Sequence, residues 1–241
     1  MKTTAQRWYI KFLQWKTQYL THRQFILLLC ALVGVATGFA ALAMRSLTHF
    51  IEEVLVGNII RYINYGFYVV FPAVGFLLVY LVKKYVIRKD VSHGIPSILY
   101  AVAKQKGIMK RFQAYGSLLT APITIGFGGS VGLEGPMVVT GAGISSQIAR
   151  LFHINQSDRM LLLACACAAA LAAIFKVPLA GILFAIEVFG LDLTLWSLLP
   201  LFVASLSGVL ISYLFFGNAA LLPIQVSGSF LMRNIPFYLL L

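Results

Sequence analysis

Between Asp192 and Arg233 the chain carries no Asp, Glu, Lys or Arg, and residues 25–44 and 65–82 are also free of charge. Stretches of this kind match or exceed the ~18–20 residues that a helix needs to cross the hydrocarbon core of a bilayer. The composition agrees. At 60% hydrophobic and 11% charged residues, the chain has too little charge to cover the surface of a soluble domain. The reading is an all-α, polytopic transmembrane protein of a cell (inner or plasma) membrane, with the lipid bilayer as its solvent.

The formal charge of +12 invites a nucleic-acid partner, but its distribution argues against one. Five basic residues precede the first span: Lys2, Arg7, Lys11, Lys16 and Arg23. Eight follow the second: Lys83, Lys84, Arg88, Lys89, Lys104, Lys106, Lys110 and Arg111. Only Arg45 and Arg61 lie between. The positive-inside rule therefore places the N-terminus and the segment after Val82 in the cytoplasm, with residues 51–65 facing outward. Residues 1–22 read as an amphipathic cytoplasmic surface helix over 3–19, because Trp8, Phe12, Trp15 and Tyr19 recur at helical spacing. The apolar run that follows is too long for a signal peptide. Cys30, Cys165 and Cys167 match neither a disulfide framework nor a metal site, so they read as packing residues and no metal is expected.

After Asp90 glycine and proline break the pattern, at Gly94–Pro96, Pro122, 126–132, Gly135–Pro136 and Pro178. Helices of ~10–15 residues cannot cross a ~30 Å core. Broken helices at membrane depth persist only where they line a protein-buried or watery cavity, and transporters use their N-termini to face an ion. The expected elements are spans at 24–50 and 65–84 and short helices at 96–104 and 113–124. Further helices are expected at 134–152, 156–175, 178–189 and 193–216. The run of small residues from Ala164 to Ala173 predicts a tightly packed helix interface.

Glu134 stands apart among the seven acidic residues. It sits in the run Gly-Gly-Ser-Val-Gly-Leu-Glu-Gly-Pro-Met, far from other charge. A carboxylate in a bilayer costs several kcal/mol and is functional by default. A glycine loop entering a helix here also aims unpaired N–H groups at one spot, which makes an anion site. By itself the residue is equally well a helix cap. Its companions are Ser92-His93-Gly94-Ile95-Pro96, Gly132-Leu133-Glu134-Gly135-Pro136, and the segment from Pro178 through Gly181, Phe184 and Glu187. In this order and spacing they resemble the GSGIP, G(K/R)EGP and PLAG-ILF-xxE motifs of the CLC family of chloride channels and proton/chloride exchangers. The resemblance runs from about Gln24 to the end of the sequence.

The resemblance implies a fold of two inverted-topology halves around one ion pathway per subunit, in a homodimer. Residues 23–235 correspond to the first repeat and 236–241 to the start of the second. The family's GxFxP motif and its ion-coordinating tyrosine are not found in these residues, so the expectation is a truncated chain that conducts no anion alone. The implied anion-binding set is Ser92, His93, Gly94, Ile95, Gly132, Leu133, Glu134 and Gly135, with Glu134 as the gate and chloride, or another small anion, as the transported ion. No cofactor is implied. Three departures from the family pattern carry meaning. His93 aligns with the coordinating serine and Ser92 with the preceding glycine, though either supplies a donor. Leu133 replaces the basic residue before the gate. Val188 stands where the exchangers carry their inner proton-transfer glutamate, leaving Glu187 as the candidate relay. Lys176, between two apolar helices, reads as a structural residue. The leading reading is a chloride channel or transporter gated by competition between Glu134 and the anion. Its alternatives are a proton-coupled exchanger and a non-conducting accessory subunit. An enzyme using Glu134 and His93 lacks a nucleophile or metal set, so no enzymatic activity is expected.

Overall fold

The computed structural model describes residues 21–55, 70–89 and 94–217, and the described residues are helical with no strand. The surface helix expected at 3–19, Arg61, Ser92, His93 and residues 236–241 lie outside them. Helix α1 spans His22–Glu53. Helix α2 spans Val70–Leu81 and runs on as a π-helical turn over Val82–Ile87. Then come α3 (Ile95–Lys104), α4 (Arg111–Gly126) and α5 (Glu134–Leu151). Helices α6 (Gln156–Phe175), α7 (Pro178–Phe189) and α8 (Leu195–Phe216) complete the bundle.

The element boundaries follow local chemistry. Helix α1 starts two residues before the expected span because the Thr21 N–H donates to Gln24 Oε1 at 3.1 Å, supporting an earlier first turn. Its 32 residues extend about 48 Å, longer than the ~30 Å hydrocarbon core of a bilayer. Helix α4 runs through buried Pro122. Helix α6 begins where Asn155 Oδ1 accepts from the Asp158 N–H at 2.9 Å. Among the described residues, α1, α2 with its π turn, α6 and α8 are long and apolar enough to cross a membrane, whereas α3 and α7 are too short.

Helix α6 is the hub. Its residues from Leu162 to Ile174 are buried and it packs against α1, α5, α7 and α8. The small residues are what allow this. A Cβ added at Gly181 of α7 would lie 2.4 Å from the Ala168 carbonyl oxygen, and one at Gly208 of α8 2.9 Å from that of Ala169. Helices in lipid gain association energy from such close packing rather than from hydrophobic exclusion. Cys30, Cys165 and Cys167 are buried in the same packing, as the sequence reading expected.

One end of the bundle gathers the starts of α1, α6 and α8 with the α3–α4 loop. There His22 Nε2 lies 3.0 Å from Asp158 Oδ2, and Arg159 Nη1 donates to the Lys106 carbonyl at 3.2 Å. The opposite end holds the C-termini of α1, α4, α6 and α8. Ile51 meets Gly126 there, and the Arg45 guanidinium lies 4.5 Å from the Phe216 ring centroid.

Candidate functional site

Two helices, α3 and α5, start at the same place. Helix α3 is capped by Gly94, whose φ of 89° and ψ of 177° suit glycine and strain other residues. Pro96 in the first turn has no N–H to leave unpaired, and Ser97 Oγ donates to the Gly94 carbonyl at 2.8 Å. Helix α5 begins at Glu134 after the glycine loop, capped by Leu133. The loop reverses tightly, with Gly129 N–H donating to the Thr124 carbonyl at 2.8 Å and Gly128 at φ 81°. A Cβ added at Gly135 would lie 3.6 Å from Gly94 Cα, so the two helix starts touch.

The first N–H groups of a helix have no acceptor within it. Those of Ile95, Glu134 and Gly135 belong to the two first turns that meet at the Gly94–Gly135 contact, and a helix N-terminus carries the positive end of its dipole. The Glu134 side chain folds back over Gly132, where an added Cβ would overlap its Oε2.

The site is held by a clasp at the far ends of the same two helices. The Ser146 hydroxyl on α5 accepts from the Met109 N–H at 2.8 Å and donates to the Gly107 carbonyl at 3.2 Å. Arg150 Nη2 donates to the Met109 carbonyl at 3.0 Å. Met109 is fully buried, and Gly107 takes a φ of 72° against Leu163. This clasp fixes the loop leaving α3 onto α5, so the helices lie side by side with their starts aligned. Motif reading did not find it, because Ser146 and Met109 belong to no sequence pattern; the buried serine was the available signal.

Of the residues expected to bind the anion, the structure brings together Gly94, Ile95, Gly132, Leu133, Glu134 and Gly135. Glu187 is not among them. It is exposed on the last turn of α7, at the end where α1 begins, next to a part-buried Val188. Lys176 takes a structural place. It caps α6 at φ 60°, its Nζ donates to the Gly217 carbonyl, and it lies 4.9 Å from the Tyr213 ring.

The family model described as "Voltage gated chloride channel" matches residues 74–241. The chain is similar to the H(+)/Cl(-) exchange transporter ClcA of Citrobacter koseri, at 31% identity over 169 residues. That alignment covers 67% of this chain and 36% of the relative, so the match spans little more than a third of the relative's length. In fold it resembles a slow cyanobacterial Cl-/H+ antiporter, at 19% identity and TM-score 0.69, covering 92% of this chain and 53% of that one. A CLC-type fluoride/proton antiporter gives 20% identity, TM-score 0.68 and coverage of 91% and 54%.

Proposed function

This chain belongs to the voltage-gated chloride channel family, and from that membership we propose that it builds half of a membrane pathway for chloride or another small anion. The contact of Gly94 with Gly135 carries the proposal. In this reading the first N–H groups of both helices face one point, where they replace the hydration shell of an anion. The Glu134 carboxylate competes for those donors. It closes the path when seated on them and opens it when protonated or displaced. Ser92 or His93, just before Gly94, adds a further donor.

The same reading orients the molecule. The end holding the start of α1 and Lys106 is cytoplasmic, the protein sits in the cell membrane, and two copies form the working unit. Within this reading, transport is uncoupled from protons, because Val188 carries none. A second reading, proton/chloride exchange, draws on the printed name of the Citrobacter koseri relative, and Glu187 is then the inner relay.

Replacing Gly135 with Ala tests the pathway itself. The added methyl meets Gly94 at an ordinary van der Waals distance, so the fold is kept. It stands where the anion has to sit. Chloride efflux from liposomes holding the full-length protein should fall about tenfold, the scale of one lost charge-assisted hydrogen bond. An unchanged rate with an unchanged melting temperature would remove the Gly94–Gly135 contact from the path.

A further inference from the structure

A groove of about 200 Å³ opens at the end of the bundle where α1, α6 and α8 begin. All three helices are long and apolar enough to cross a membrane, and in the orientation proposed above, on which this inference rests, their first turns lie at the depth of lipid headgroups. The floor of the groove is apolar, built from Ile26, Leu161, Leu199 and Pro200. Its rim is polar and aromatic. The Arg23 guanidinium stacks on the Trp196 ring at 3.5 Å from the centroid. On the same rim His22 Nε2 lies 3.0 Å from Asp158 Oδ2. Arg23 forms no ion pair with any described residue. Its stacking holds the guanidinium plane in place while leaving N–H donors at the groove mouth.

We propose that this groove is a binding site for one anionic phospholipid. The phosphate engages Arg23, whose fork of N–H donors matches phosphate oxygens. One acyl chain lies along the apolar floor. Trp196 takes the interfacial position that tryptophan favours, its ring spanning apolar and wet surroundings. Arg23 selects the lipid class, because its guanidinium is the cation at the groove mouth and favours an acidic headgroup. The bound lipid ties α1 to α8, which pack along their length, and so braces the bundle end away from the anion site.

The test is native mass spectrometry of the full-length protein in detergent, with phosphatidylglycerol and phosphatidylcholine of matched acyl chains. The wild type should retain phosphatidylglycerol about tenfold better, the scale of one charge-assisted contact. Arg23→Gln should lose that preference. Leu199→Trp, which fills a half-exposed part of the floor without touching the buried core, should lose binding of both lipids while remaining monodisperse. Equal retention of the two lipids by the wild type overturns the proposal, as does a preference that survives both substitutions. Binding that emerges only after residues 1–20 are deleted also overturns it, since the chain's own aromatic segment would then be the occupant.

Discussion

At the scale of single residues, Glu134 carries the most consequence. It was legible in the sequence because it is a charge isolated in uncharged surroundings, a costly arrangement in lipid. That its side chain turns back over Gly132 was not legible, because the turn depends on the loop reversal at Gly128 and Gly129. The fold-back sets the expected behaviour. A carboxylate competes with chloride for the same N–H groups, whereas a carboxamide lacks the charge that makes it competitive. Glu134→Gln should therefore raise chloride flux about tenfold in the full-length protein, on the scale of one charge-assisted hydrogen bond. Flux measured in liposomes decides it, and a Gln variant no faster than the wild type would remove the Glu134 charge from the gate.

At the scale of elements, glycine and proline announced the short helices, and α6 and α7 fall at their expected bounds. Bounds set by capping or by interhelical contact were less legible. Helix α4 begins two residues before the expected 113 because the Lys110 N–H donates to Gln113 Oε1 at 3.2 Å, a local pairing that hydrophobic periodicity does not register. The α3–α5 clasp was invisible for a different reason: its partners are far apart in sequence and common in type. It has a measurable weight. Ser146→Ala leaves the Met109 N–H without its hydroxyl acceptor and the Gly107 carbonyl without its donor, in a buried place. Such a loss costs about 1–3 kcal/mol. The melting temperature of the full-length protein should fall by roughly 2–4 °C per kcal/mol for a body of this size. Anion affinity, read by calorimetry, should weaken as well, because the two helix starts lose their fixed alignment. A lower melting temperature with unchanged affinity would confine the clasp to stability.

At the scale of the whole molecule, the pattern of basic residues anticipated which segments share an end. Lys106 and the start of α1 do lie together, joined through Arg159 and the His22–Asp158 pair. The groove beneath Arg23 and Trp196 was out of reach of sequence reading, because only packing of α1 against α8 brings those residues together. The largest functional question at this scale is coupling. Moving a proton against its gradient at the expense of chloride requires protonatable groups that reach both sides of the membrane. In the proposed pathway Glu134 is the group for one side. On the other, Val188 carries no proton, and Glu187 is one residue earlier, about 100° around the α7 axis. The two side chains differ as that angle requires, with Glu187 exposed and Val188 part-buried against its neighbours. A relay through Glu187 therefore needs water to bridge from an exposed carboxylate to the interior. The expected result for the full-length protein in vesicles is chloride flow down an imposed gradient with no stoichiometric proton uptake, and with gating by Glu134 intact, since competition for the anion site needs no inner proton donor. Uphill proton movement at a fixed ratio to chloride would instead make the protein an exchanger. Glu187→Gln then discriminates between routes: loss of proton movement with retained chloride flux would assign the inner relay to Glu187, and retention of both would assign it to a residue elsewhere in the pathway.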